Sequence, residues 1–217
     1  MPHGRPTGAA WQDPLAGGLR KVPVQARSRA TVKAILDAAA ELVEEVGFEA
    51  VVESPTLILD RSGVSRGSFY SFFETPERVL DQLAYEQILQ FVVGIEKRFR
   101  SRETAGWRGV VDVLVDHYVA VYAQPLIREL WVRQNITSRV RHLDEAAIED
   151  VAELLRLELT ASGDVPLHVD HIQCAVACHA LERLCQFAFA NDPQGDQDVI
   201  GEARHLLATY FSRRSPT

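Results

Sequence analysis

The sequence predicts an all-α protein, and three observations carry that prediction. Apolar residues recur every three or four positions along several long stretches, the period of a helix with one buried face. Short segments holding Gly, Pro, Asn, Asp or Ser separate those stretches, and such residues end helices and begin new ones. The one run rich in β-branched residues, 107–122, has no second strand-like run anywhere in the chain to pair with.

Taken in order, residues 1–26 are rich in Pro, Gly and Ala and lack periodicity, so they read as a flexible basic arm. Trp11 is out of place in such an arm. Residues 28–46 form the first long helix. Val32, Ile35, Leu36, Ala39, Leu42, Val43 and Val46 share one face, Asp37, Glu41, Glu44 and Glu45 lie mostly on the other, and Gly47 ends it. Residues 54–73, SPTLILDRSGVSRGSFYSFF, read as two short helices joined by a tight turn. Ser54 is a good N-cap, and Pro55 fits the first helical position, where its missing N–H costs nothing. Gly63 supplies a left-handed turn residue, and Ser65 caps a second helix through Tyr70 and Phe73. Phe69 and Phe73, four apart, face the domain's own core. This is a helix-turn-helix, whose second helix can lie in a DNA major groove. Arg66 can donate two hydrogen bonds to a guanine, while hydroxyls and helix N-terminal N–H groups suit phosphates. A helical hairpin with no nucleic-acid role is the competing reading of the pattern alone.

The run GVSRGSFYSFF, followed by Thr75-Pro76-Glu77-Arg78-Val79-Leu80, resembles the signature of the TetR family of bacterial transcriptional repressors. The helix from Ala34-Ile35-Leu36-Asp37-Ala38-Ala39 through Val46-Gly47-Phe48 is similar to that family's first helix and its closing glycine. The specific match covers roughly residues 27–84; beyond it the resemblance lies in length and helical character. It implies a three-helix DNA-binding domain over residues 27–74 and a six-helix effector-binding and dimerisation domain over 75–217. DNA contacts are then expected at Arg27, Arg29 and Lys33 of the arm and first helix, and at Ser54, Thr56, Ser65, Arg66, Gly67, Ser68, Tyr70, Ser71 and Thr75. Three positions depart from the family: it usually has a small alanine at Leu59, which would let the two short helices pack more closely, and it often has the phosphate-contacting residues His or Tyr at Phe72 and Lys at Pro76. Neither Phe72 nor Pro76 can donate from its side chain.

Thr75 and Pro76 open a long helix to about Arg100, with Leu80, Leu83, Ala84, Ile88, Phe91, Val92, Ile95 and Phe99 in helical period. By the resemblance this helix joins the DNA-binding part to the body. Residues 107–122 are apolar nearly all round and read as a central helix. Pro125 separates it from a helix over about 126–137, and another covers 142–161 before the break Ser162-Gly163-Asp164-Val165-Pro166. The last two helices span about 168–190 and 196–213, with Asn191-Asp192-Pro193-Gln194-Gly195 as their turn.

In the family the final helix pair builds a four-helix bundle with its copy in a second subunit. That places Ile172, Ala180, Leu184, Phe187, Ala203, Leu206, Leu207, Tyr210 and Phe211 at a homodimer interface; an ordinary buried hairpin fits the same residues. Phe91, Trp107, His117, Tyr118, Tyr122, Trp131 and Gln134 fall in helices that, by resemblance, line an effector cavity. A mostly apolar pocket with a few polar groups suits a small, partly apolar molecule. The implied partners are double-stranded operator DNA, that effector and a second copy of the chain, with no cofactor. The rival readings are a helical ligand-binding or interaction protein without DNA binding, and a repressor that senses thiol chemistry or metal.

Charge distribution agrees with one DNA-facing end. Of the net −7, residues 20–33 contribute +5 and residues 61–73 contribute +2, which leaves −14 for the remainder. No run of 18 apolar residues exists and the first 20 residues lack an apolar segment, so neither a membrane span nor a secretory signal is expected. Three cysteines outside any CxxC suggest a reducing, cytoplasmic setting. His171, Cys174 and Cys178 share a helix face and are the candidates for metal or redox sensing, although free Cys is usually a small buried hydrophobe. Glu202 and His205 form one ExxH where di-iron bundles need two, and no Gly-rich phosphate loop, nucleophile elbow or HExxH occurs, so neither a metal site nor an enzyme is expected.

Overall fold

The computed structural model describes residues 12–101, 106–163 and 169–212. Trp11 and the loop residues 164–166 lie outside them. Among the described residues the chain forms ten α-helices and no strand. Two compact units emerge: one runs to Leu89 and takes in Gln134–Ala146, the other comprises Gln90–Arg133 and Ala147 onward.

In the first unit, α1 (Ala26–Val46) packs on α2 (Phe48–Glu53), α3 (Pro55–Ser62) and α4 (Arg66–Phe72). Its predicted apolar stripe is buried except for Val46, and Ile35, Ala39 and Val43 are fully closed off. Val51, Ile58, Phe69 and Phe73, also fully buried, complete the small core. Helix α2 has no counterpart in the sequence reading, because six residues are too few to show a period. The first unit also holds the beginning of α5 (Pro76–Arg100) and of α8 (Ser138–Ser162). Asp81, a buried carboxylate, accepts from Arg78 Nη1 at 2.7 Å and from Thr137 Oγ1 at 2.6 Å. Thr137 Oγ1 also accepts from the Val140 N–H at 3.3 Å, and this N-terminal cap starts α8 at Ser138, four residues before the expected 142.

The described part of the amino-terminal arm is docked rather than free. Gly17 and Gly18 are buried, the Gly18 N–H donates to Gln82 Oε1 at 3.0 Å, and Tyr85 Oη donates to the Asp13 carbonyl at 3.0 Å.

In the second unit, α6 (Gly106–Tyr122) packs against α9 (His171–Ala188) and α10 (Gln197–Ser212), and α9 packs on α10. Arg204 of α10 donates to Asp112 at 2.7 Å and to Asp116 at 2.6 Å, both on α6. The helix expected over 126–137 is much shorter. Pro125 opens α7 (Pro125–Ile127), which widens into a π turn, Arg128–Val132, closed by the Arg133 N–H on the Arg128 carbonyl at 3.1 Å. Gln134 then adopts φ 60°, which no helix continues through. Among the described residues no single helix is long and apolar enough to cross a membrane.

Candidate nucleic-acid interface and effector site

The recognition unit is built by local chemistry. Gly63 takes the left-handed conformation at φ 65° and ψ 12°, and its N–H closes α3 on the Leu59 carbonyl at 3.0 Å. Ser65 then caps α4: its Oγ accepts from the Ser68 N–H at 3.3 Å and donates to Ser68 Oγ at 2.9 Å. Phe69, Phe72 and Phe73 are buried, so the back of α4 is locked into the core. Ser65, Arg66, Gly67 and Tyr70 face solvent, with Ser68 and Ser71 half-buried beside them. A side chain at Gly67 would meet nothing, so the front of the helix can approach a surface closely.

The remaining expected DNA contacts are placed less uniformly. Ser54 makes no side-chain cap; its Oγ lies 3.0 Å from Thr56 Oγ1, and Thr56 is exposed. Thr75 is exposed, and its Oγ1 accepts from the Arg78 N–H at 3.3 Å. Arg27 and Arg29 are exposed, and Arg29 Nη1 also donates to the Val24 carbonyl. Lys33 is exposed but paired with Asp37 at 2.6 Å. Arg61, counted with the basic residues of this unit, is held by Glu41 at 3.1 Å and by Glu45 at 2.6 Å. The Glu45 contact lowers that carboxyl's pKa and raises the guanidinium's, and both are groups on the surface. The sequence missed Arg20 and Lys21 as local partners of α4. The Arg20 N–H donates to the Phe72 carbonyl at 2.9 Å, and Lys21 Nζ lies 4.9 Å from the centre of the Phe72 ring.

Four of the seven effector-site residues form one chain of ring contacts. Phe91 lies 4.7 Å from His117 and 4.8 Å from Tyr118 between ring centres, and Tyr118 stacks on Tyr122 at 6.5 Å. The chain continues from Tyr122 to Phe189 at 6.2 Å, a neighbour that sequence separation hid. Tyr122 Oη reaches Glu182 Oε1 at 3.5 Å, the outer limit of a hydrogen bond. His117 is buried, and its Nε2 donates to the Phe91 carbonyl at 2.9 Å, so Nε2 carries the proton and Nδ1 is an acceptor. That Nδ1 is buried and has no hydrogen-bond partner among the described residues. Burial pushes the His117 pKa down from its usual 6.5 to about 4, against a smaller opposing effect of the Phe91 carbonyl. Gly94 makes room for the ring, since a Cβ there would stand 2.8 Å from His117 Cε1. An isolated glycine inside a helical run was the available signal for this close approach. Trp107 and Trp131 are buried, while Gln134 is on the surface.

The nine expected interface residues divide into two faces. Ile172 and Phe187 of α9 and Leu206 of α10 are 72%, 66% and 47% exposed, and Val176 joins them at 50%. Ala180, Leu184 and Tyr210 are half-buried. Ala203, Leu207 and Phe211 are buried inside the protomer and fill its core. Leu206 and Leu207 are about 100° apart around a helix, so the stripe that grouped them spanned both faces of α10.

Cys174, Cys178 and Cys185 are buried thiols. Burial pushes Cys174 and Cys185 up to about 12 and raises Cys178 as well. Buried thiols held protonated in this way are poor nucleophiles, which speaks against redox sensing through them. His171 turns instead to Glu149, with Nε2 at 2.6 Å from its Oε2. No cluster of three or more His, Cys, Asp or Glu side chains among the described residues could hold a metal ion.

A family model described as the tetracyclin repressor-like C-terminal domain matches residues 105–215. No curated protein sequence matches the chain significantly. A TetR-family transcriptional regulator from Streptomyces coelicolor is similar at 30% identity and TM-score 0.64, over 83% of this chain and 96% of that one. GusR of Salmonella enterica shares the fold at 21% identity and TM-score 0.60, over 84% and 96%. FadR from Bacillus subtilis, in complex with stearoyl-CoA, does so at 21% identity and TM-score 0.61, over 83% and 97%. The helix-turn-helix in the first unit, the family match across the second and the similarity along most of the chain lead to one conclusion: this protein belongs to the TetR family of transcriptional regulators.

Proposed function

We propose that the chain is a cytoplasmic, homodimeric repressor that holds operator DNA through α3 and α4 and releases it when a small, partly apolar molecule enters the second unit. The DNA-binding domain is taken as residues 27–74, the arm as 1–26 and the effector and dimer domain as 75–217. One observation carries the reading. Helix α4 presents Ser65, Arg66, Gly67 and Tyr70 to solvent while three phenylalanines fix its other side, the arrangement a groove-reading helix needs. Paired half-sites about one DNA turn apart, roughly 34 Å, require a two-fold dimer. The apolar face of Ile172, Val176, Phe187 and Leu206 is our candidate for that dimer contact.

Arg66 is assigned to base reading. Arg66→Ala should relax preference at one base-pair position and cost about 1–3 kcal/mol there. Gel-shift titration against the DNA upstream of its own gene, with single-position variants of the bound sequence, measures this. Equal loss on every sequence would make Arg66 a phosphate contact instead, and no binding by the wild type would favour a ligand-binding protein without DNA binding.

The effector site is assigned to the cluster of Phe91, His117, Tyr118 and Tyr122, together with the buried Trp107 and Trp131 of the same unit. His117 Nδ1, a buried acceptor, supports an effector that carries a hydrogen-bond donor. The effector can shift the equilibrium only by its differential affinity for the two states, so operator must weaken effector binding by the same factor. Tyr122→Phe should lower the affinity of effectors found by thermal-shift screening and leave operator affinity unchanged. A variant that instead loses stability and keeps its response would make Tyr122 a packing residue.

A further inference from the structure

The docked arm brings two cations to the carboxyl end of the recognition helix. Arg20 donates there twice, from its N–H to the Phe72 carbonyl at 2.9 Å and from Nη1 to the Tyr70 carbonyl at 3.2 Å. Lys21 Nζ sits 4.9 Å from the centre of the Phe72 ring, within cation–π range. The preceding residues are tied down at several points. Arg139 donates from Nε to the Ala16 carbonyl at 2.7 Å and from Nη2 to the Leu15 carbonyl at 3.1 Å, and Gln82 holds the Gly18 N–H. A Cβ on Gly18 would stand 1.7 Å from the Arg78 carbonyl oxygen, so the strap lies on α5 only because that residue has no side chain. Docking at this spot is therefore written into the Gly17-Gly18 pair.

The charge balance of the first unit gives the strap its purpose. Lys33 is neutralised by Asp37 and Arg61 by Glu41 and Glu45. Arg20 and Lys21 are exposed, and neither meets a carboxylate among the described residues; Glu74 lines the same recess as Arg20 without pairing to it. Phe72 and Pro76, which flank the junction of α4 and α5, carry no side-chain donor. The uncompensated cations at this end of α4 thus come from the strap. A helix seated in the major groove has phosphates beside it, and cations fixed there bind them without reading sequence.

We propose that Arg20 and Lys21 form a phosphate clamp for duplex DNA, carried by the docked strap at the carboxyl end of the recognition helix. The assignment rests on the reading of the chain as a DNA-binding regulator. Its test uses the full-length protein, operator and non-operator duplexes, and a range of salt concentrations. The double substitution Arg20→Gln with Lys21→Gln keeps the Arg20 N–H and alters only surface side chains. Each phosphate contact contributes about 0.9 to the slope of log affinity against log salt, so this variant should flatten the slope by about two per protomer on both duplexes, with the operator preference unchanged. Gly18→Val keeps both cations but forces the strap off α5, and should flatten the slope equally. A wild-type slope in the glutamine variant would overturn the clamp, and a wild-type slope in Gly18→Val would show that docking does not position it. Absence of any wild-type binding to duplex would overturn the regulator reading itself, a result distinct from both.

Discussion

Phe187→Asp should turn the proposed dimer into a monomer that binds operator about a hundredfold more weakly, or worse. Phe187 is 66% exposed on α9, in a stripe with Ile172, Val176 and Ala180 at helical spacing, and Leu206 of α10 is exposed as well. Such apolar exposure marks a surface that another surface covers. A carboxylate placed there is solvated in the monomer and desolvated in the dimer, so the cost falls on association rather than folding. Losing the second half-site removes an avidity gain of about 10²–10⁴. Sedimentation gives the assembly state and gel shift the affinity. Leu207→Asp is the contrasting control: Leu207 is fully enclosed in the protomer, and an unpaired charge there should unfold the chain instead. A Phe187→Asp protein that stays dimeric would move the interface elsewhere.

Acidification from pH 7 to pH 5 should remove about 2 kcal/mol of stability through His117 alone. Its pKa falls to about 4 in the folded state, from 6.5 otherwise. Between those values the unfolded chain binds a proton that the folded chain refuses, so stability is present above about pH 6.5 and is lost as the pH falls toward 4. The full window is worth about 3 kcal/mol, at 1.36 kcal/mol per pKa unit. Urea unfolding at pH 7 and pH 5, at one protein concentration, measures the loss, and His117→Leu should show about 2 kcal/mol less of it. If the variant follows the wild-type pH dependence, another group titrates. The physical cause is enclosure: the His117 ring is buried with Phe91 and the Gly94 backbone against it, so an imidazolium there is desolvated.

The helix-turn-helix could be read from residues alone because its determinants are local. Gly63 at a left-handed turn, Ser65 at a cap and phenylalanines four apart act within a few residues of themselves, and the folded chain uses each as expected. The all-α class followed for the same reason, since helical period is a property of short windows. Helix α2 escaped because six residues show no period, and the π turn at Arg128–Val132 escaped because propensity does not distinguish it from the α-helix expected there.

What only the tertiary structure decided are the matters that depend on distant partners. Leu206 and Leu207 are equally apolar, and packing against α6 and α9 chose which one is enclosed. The arm lacks periodicity and looked free, yet Gln82, Tyr85 and Arg139, 64 to 124 residues away, give its backbone groups their partners. The cysteines are buried, and burial disfavours their thiolates, which no spacing along the chain shows. Lys33 and Lys21 are the same residue type in the same basic stretch. One is neutralised by Asp37 a single turn along its own helix, which the spacing could have revealed; the other rests on Phe72, fifty-one positions further along, which only the folded chain brings beneath it.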